Sequence, residues 1–259
     1  MLSITPISAF SDNYIWLLRT PGGSRAVVVD PGDEEPVMAA LEREGLTLSA
    51  ILVTHHHYDH TGGVKDLVSA WPDARVFGPL DRRIAAVTDA VSEGDQIEVP
   101  GLDAVFGVLE VPGHTSSHIA YLGGGVLFCG DTLFAGGCGR VFDGTLEQLA
   151  ASLERIAALP PETLIYCAHE YTLSNLGFAS WVEPGSPELA ARAVKARKLR
   201  EAGRPTVPST LAEELNTNPF LRTAEDAVKL AAERHAGRPS SSHAEVFAAL
   251  RRWKDEEYD

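Results

Sequence analysis

Four histidines and an aspartate fall within six positions, His55, His56, His57, Asp59 and His60 in "THHHYDH", directly behind the apolar run "AILV". Imidazole nitrogens and carboxylate oxygens at roughly 2.0–2.2 Å are the donors a divalent metal takes, zinc first, with iron and manganese also suited. If the run is a strand that still includes Thr54, His55 and His57 point to one side and His56 to the other. Asp59 and His60 then follow on a turn into Gly62 and Gly63. A tag-like, solvated histidine cluster would sit at a terminus, not behind a buried β segment. Three more ligand-type residues end apolar runs: His114 after "LEVPG", Asp131 after "VLFCG" and His169 after "LIYCA". Sites in α/β sheets assemble outside the carboxyl ends of strands, so these groups are expected to converge. One metal would leave part of the set unused. Two metals sharing a carboxylate use His55, His57, Asp59, His60, His114, Asp131 and His169 together, and ions about 3.5–4 Å apart form a hydrolytic pair.

The elements that must position these residues alternate along the first two thirds of the chain. "NYIWLLRT", "RAVVVD", "LSAILVT" and "RVFG" read as strands, and "DEEPVMAALEREG" and "GGVKDLVSAW" as helices. Residues 95–129 hold several β-type runs with no room for crossover helices, which implies antiparallel or mixed sheet. "LEQLAASLERIAAL" keeps a helical period, and "TLIYCA" closes the pattern as one more β run. From about residue 185 the composition turns to Ala, Glu, Arg and Lys in three helical segments, with the Pro-studded connector "RPTVPSTLAEELNTNPF" between the first two. The fold class is α/β with a smaller all-helical C-terminal part.

With 259 residues, 44% of them hydrophobic, the chain can bury a large core, and no apolar run approaches the 18 or so residues of a membrane span. The first residues carry neither the basic start nor the apolar core of a targeting signal, so the cytoplasm is the expected location. Cys129, Cys138 and Cys167 are an odd number without CxxC spacing, which argues for buried thiols in a reducing compartment. The formal charge is −14 and uneven: residues 1–185 carry 9 basic against 24 acidic residues, residues 186–259 carry 13 against 12. Nucleic acid would be repelled. An anionic substrate needs a local basic pocket, and the C-terminal part is the place for one.

"THHHYDHTGG", "PGHTSSH", "FCGDTLF" and "YCAHEYT", in this order, resemble the metallo-β-lactamase fold superfamily. With "SDNYIWLL", "GGCGRVFDGT" and "VPSTLAEELNTNPFLR" they resemble its glyoxalase II branch, the hydroxyacylglutathione hydrolases, over nearly the whole chain. The resemblance implies an αββα sandwich, residues 1–170, holding a dinuclear metal centre, followed by a helical glutathione-binding domain, residues 171–259. It implies one metal on His55, His57 and His114, a second on Asp59, His60 and His169, and Asp131 bridging them. It implies that Arg140, Tyr171, Arg251 and Lys254 hold the glutathione part. At Phe142 the family often has a tyrosine that touches glutathione, and a phenyl ring cannot make that hydrogen bond. Ser117 stands where a glycine is frequent, which puts the local backbone in question. For Arg251 and Lys254 the other reading is a solvated helix face, since three-residue spacing aligns them in either case.

The chemistry follows from the donors. Two divalent ions lower the pKa of a shared water from 15.7 to about 7, so hydroxide is available at neutral pH, with Asp59 and Asp131 as the flanking carboxylates. A thioester suits it, because a thiolate leaving group has a pKa near 8.5 and needs little help from an acid. No GxSxG elbow is present for serine chemistry. The expected reaction is cleavage of S-D-lactoylglutathione to D-lactate and glutathione by a monomer with two zinc, iron or manganese ions, with neither nucleic acid nor membrane as partner. The rival is a glutathione persulfide dioxygenase of the same superfamily with a single iron, which would need only His55, His114 and Asp131. A metal-binding or nuclease-like module without small-molecule turnover fits the charge poorly. Asp30 in "VVVDPG" could orient a ligating histidine or simply form a turn. His56 and His118 read as flanking residues, His235 and His243 as surface.

Overall fold

The computed structural model describes residues 2–84 and 86–258. They form two compact units, one of residues up to Glu110 with Ser117–Gly130, the other of Val111–Ser116 with the chain from Asp131 onward.

The first unit contains β1 (Ser3–Ala9), β2 (Asn13–Arg19), β3 (Arg25–Val29), α1 (Glu34–Glu44), β4 (Thr47–Leu52), α2 (Tyr58–Thr61), α3 (Val64–Ala70), β5 (Arg75–Pro79) and β6 (Asp89–Val91). Its six strands lie in sequence order. The β1–β2 and β2–β3 pairs are antiparallel, and the three later pairs are parallel. The change of sense follows from the connections, because a parallel neighbour needs a crossover, which α1 supplies after β3 and α2 with α3 supply after β4. α1 begins where the Asp33 side chain accepts from Glu35 N and ends at Gly45, which takes the left-handed conformation. A second, antiparallel set follows: β7 (Gln96–Glu98), β8 (Val105–Glu110), β9 (Ile119–Gly123) and β10 (Val126–Gly130). The two sheets face each other in this unit, since Tyr121 on β9 donates its hydroxyl to Val53 O at 2.9 Å and Phe77 O at 3.2 Å. Burial raises the Tyr121 hydroxyl well above its ordinary pKa, so it remains a donor. β2 to β4 are apolar without alternation because both their faces are covered.

The second unit holds the hairpin β11 (Leu133–Phe134) and β12 (Gly137–Cys138), α4 (Leu146–Ala157), and β13 (Leu164–Cys167). Then come α5 (Thr172–Val182), α6 (Pro187–Glu201), β14 (Ser209–Thr210), α7 (Leu211–Thr217), α8 (Asp226–Ala236) and α9 (His243–Glu257). α4 starts at a capping box of Thr145 and Gln148. The helical C-terminal part is as the composition implies, with two additions. α5 shows no helical period because it is buried on several sides, by Asn175, Leu176, Phe178, Ala179 and Val182. α7 lies inside the Pro-studded connector and starts at Thr210, whose side chain accepts from Glu213 N. Among the described residues no helix is long and apolar enough to cross a membrane.

Candidate metal centre

β4 ends at Leu52, two residues before Thr54, so the histidines stand on a loop rather than on strand alternation. His55 is the hub of that loop, with its ring centroid 4.7 Å from His57 and 4.1 Å from His60. His57 caps the short α2, and His60 N returns to His57 O at 3.0 Å, which turns Asp59 and His60 back toward His55. His60 Nε2 lies 3.4 Å from Asp59 Oδ2. His55 and His60 are fully buried, while His57 and Asp59 are half-buried.

Asp30 fixes this loop from below, in the left-handed region at φ 53°. Its carboxylate accepts from Thr54 N at 2.8 Å and from Thr54 Oγ1 at 2.8 Å. With the hydroxyl hydrogen so committed, Thr54 Oγ1 meets His55 Nδ1 at 3.0 Å as an acceptor. The network therefore assigns the hydrogen to Nδ1 of His55 and leaves its Nε2 lone pair for a metal. Asp30 Oδ2 also lies 3.0 Å from His60 Nδ1, which favours the same tautomer there. Both readings of Asp30 hold, because Gly32 N also closes a turn on Asp30 O at 2.9 Å. Asn13 at the start of β2 donates to Asp59 Oδ2 at 2.9 Å and fixes the carboxylate.

His118 departs from its reading as a flanking residue. It is fully buried, and its ring stacks on His55 at 4.6 Å and 17°. His56 does point elsewhere, with Nδ1 3.8 Å from Asp81 Oδ2. Hydrogen bonds from Arg83, and after them one from Ser117 at 2.6 Å, hold the Asp81 carboxyl well below the usual range against a desolvation that raises it. Ser117 takes no positive φ, so its backbone does not require the glycine frequent at that position.

The second unit presents the other three groups. Asp131 follows β10 in sequence and is nearly buried, with Oδ2 3.5 Å from His114 Nε2 and 3.3 Å from His169 Nε2. His114 Nδ1 faces Arg140 O at 2.8 Å, which assigns the Nδ1 hydrogen and turns Nε2 toward Asp131. The His169 ring lies flat on Tyr171 at 4.7 Å and edge-on to Phe134 at 5.8 Å. Phe142 packs edge-on to His114 at 5.2 Å. Carboxylates and imidazoles, with the tautomers of His55, His60 and His114 set by their partners, fit a divalent cation, and this His and Asp cluster is capable of binding metal ions.

Of the residues expected to hold glutathione, Arg140, Phe142 and Tyr171 are exposed, whereas Arg251 and Lys254 are buried at 1% and 5% exposure. A solvated helix face is thereby excluded. Phe247, Leu250, Arg251 and Lys254 form one stripe of α9 at i, i+3, i+4 and i+7, a period that was present in the sequence.

The chain matches the metallo-beta-lactamase superfamily over residues 10–169 and the hydroxyacylglutathione hydrolase C-terminus over residues 170–257. The hydroxyacylglutathione hydrolase of Alkalilimnicola ehrlichii is 56% identical over 256 residues, 99% of this chain and 100% of that one. That of Pseudomonas fluorescens is 54% identical over 98% of this chain and 99% of that one. Among solved structures, ETHE1 from Myxococcus xanthus superimposes with a TM-score of 0.67 at 26% identity, covering 100% of this chain and 93% of that one. TTHA1623 in a di-iron-bound form gives 0.59 at 30% identity over 84% of this chain and 100% of that one. By the match of both parts and by identity along the full chain, this protein belongs to the hydroxyacylglutathione hydrolases of the metallo-β-lactamase superfamily.

Proposed function

We propose that the chain hydrolyses the thioester of a hydroxyacylglutathione, S-D-lactoylglutathione above all, with two divalent metal ions as cofactors and zinc as the first choice. His55, His57, His114 and Asp131 would hold one ion, and Asp59, His60 and His169 the other, with Asp131 between them. The observation that carries the reading is the complete second donor set. A persulfide dioxygenase with one iron has no use for Asp59, His60 and His169, yet Asn13 and Asp30 hold two of them in place. The di-iron form of a structural relative supports room for two ions in this fold.

When bound, such ions acidify water and polarise a carbonyl. The protein's own part is to keep the donors aimed: Asp30 through Thr54 sets His55, and the Arg140 carbonyl sets His114. No general acid is required of the chain, because the departing glutathione thiol has a pKa near 8.5 and leaves as thiolate. Arg140, Phe142 and Tyr171 are the exposed groups that would meet the peptide part, and Arg251 and Lys254 are buried cations of the same compact unit. Local cations matter in a chain of net charge −14 that must attract an anion. In this division residues 1–170 carry the metals together with Arg140 and Phe142, and residues 171–259 carry Tyr171, Arg251 and Lys254. The cytoplasm and a monomeric state complete the proposal.

The test is to count metals per purified chain and to follow thioester loss with and without a chelator. Two ions per chain and a chelator-sensitive, metal-restored activity are expected. No thioester loss, a single iron and oxygen consumption on glutathione persulfide would transfer the chain to the dioxygenase reading.

A further inference from the structure

The β11–β12 hairpin is too short to hold its own shape. Each strand has two residues, Leu133 pairing with Cys138 and Phe134 with Gly137, and a hairpin of that size is not stable alone. Three polar side chains of the helical part satisfy its turn. Glu214 on α7 accepts from Gly136 N at 2.8 Å, and Asn175 on α5 donates to Ala135 O at 3.2 Å. Asn218, directly after α7, donates to Gly137 O at 2.9 Å and to Phe134 O at 3.2 Å. All three side chains are buried. The Glu214 carboxylate is held in turn by both terminal nitrogens of Arg192 on α6, which also donates to Thr217 Oγ1 at 2.6 Å.

What the hairpin carries toward the metal centre is Phe134. Its ring stands at 88° to His169 with centroids 5.8 Å apart, and at 83° to Tyr171 at 5.3 Å, while the rings of His169 and Tyr171 lie nearly parallel at 4.7 Å. One ring set across two stacked rings restricts the rotation of both. We propose that Glu214 is a positioning residue for His169. Through Gly136 it fixes the hairpin, and through Phe134 it fixes the plane in which His169 turns Nε2 toward Asp131. The proposal rests on the reading of His169 as a metal donor made above. Stability alone does not account for the ion pair, because apolar side chains of similar volume would fill the same space without the cost of desolvating two charges. They would also leave Gly136 N without an acceptor and the turn without its tie to α7. The charge stands where a backbone position has to be set.

The experiment compares E214Q, F134L and R222Q in the full chain. R222Q is the control for general destabilisation, since Arg222 forms a two-pronged pair with Glu183 at 3.0 Å in the same unit and donates to no hairpin atom. Zinc affinity is read by competition with a graded chelator, and stability by the denaturation midpoint. E214Q and F134L are expected to weaken the binding of one zinc ion about ten-fold, the lower end of what partners behind a metal ligand are worth, while R222Q lowers the midpoint and keeps the affinity. F134L leaves the ion pair intact and gives the answer by itself if E214Q does not fold. The Cε1–H proton resonance of His169, displaced by the Tyr171 face stacked on it, reads the ring placement in the protein with and without zinc, so a failure of the two-ion reading remains separable. It should move in E214Q and F134L and stay in R222Q. Parent-like zinc affinity with an unmoved His169 resonance in F134L, or a zinc loss in R222Q as large as that in E214Q, would overturn the proposal.

Discussion

Asp30 Oδ2 lies 3.0 Å from His60 Nδ1, and the same oxygen accepts the hydroxyl of Thr54 that faces His55. One buried carboxylate thus orients two metal-type histidines 24 or more residues away in sequence, one directly and one through a threonine. Asp30→Asn keeps the shape but replaces the Oδ2 acceptor with a donor, which disfavours a hydrogen on His60 Nδ1 and, through Thr54, on His55 Nδ1. Partners of this kind alter metal affinity by about 10–100-fold. The variant should fold, bind metal more weakly in a competition with a graded chelator, and regain activity in excess metal. Undiminished metal affinity would show that Asp30 serves the turn alone.

Gly32 is required by space, not by φ. A Cβ there would stand 1.9 Å from Asp59 O and 2.3 Å from Asp59 C, both backbone atoms that cannot rotate away. Gly63 is pressed in the same way against Glu34 N at 2.5 Å, so the "DPGD" loop and the histidine loop meet backbone to backbone. Gly32→Ala must push these loops apart, at a cost of about 1–3 kcal/mol or more by comparison with overpacked cores. A lower denaturation midpoint together with loss of metal from the purified chain is the expected result. A midpoint and metal content like those of the parent would refute it.

The seven candidate donors were legible because strand ends mark where an α/β sheet collects its functional groups: Asp131 directly follows β10, His169 comes two residues after β13 and His114 four after β8. Helix α4 was legible from its period, and α6, α8 and α9 from their composition. What escaped depends on distance in sequence. Asn13 meets Asp59 across 46 residues, and His118 stacks on His55 across 63, and neither pairing leaves a local pattern. α5 escaped for the opposite reason, since a helix enclosed on several sides loses the one-faced stripe that a surface helix shows. Arg251 and Lys254 could have been placed in the interior by the stripe they share with Phe247 and Leu250.

Phe142 gives a substitution with a gain. Its side chain is 64% exposed, its ring stands edge-on to His114 at 5.2 Å, and its amide donates to His114 O at 3.0 Å. A tyrosine there keeps the ring and adds a hydroxyl at its exposed end. Phe142→Tyr should lower KM for the glutathione thioester by up to about five-fold, the worth of one neutral hydrogen bond of about 1 kcal/mol, and leave kcat alone. An unaltered KM would mean that this ring edge does not face the peptide part.

The three cysteines should be silent in the folded chain, and Cys138 and Cys167 should weaken it in alkali. Cys129, Cys138 and Cys167 are free and buried. Burial pushes the Cys138 thiol up to about 11, with Arg251 opposing the shift, and pushes Cys167 up to about 12. An unfolded thiol ionises near 8.5, so above that pH the unfolded chain holds fewer protons than the folded one and stability falls as pH rises. The contribution is complete below about pH 8 and is lost as the pH climbs toward the folded values of about 11 and about 12. Because the thiolate is the reactive form, a thiol reagent at pH 8 should modify no cysteine rapidly in the native chain and all three after denaturation. Denaturant titrations at pH 7, 9 and 10 should show a declining stability, and Cys167→Ala should flatten the decline. Rapid native labelling, or a slope indifferent to Cys167, would contradict this account of the buried thiols.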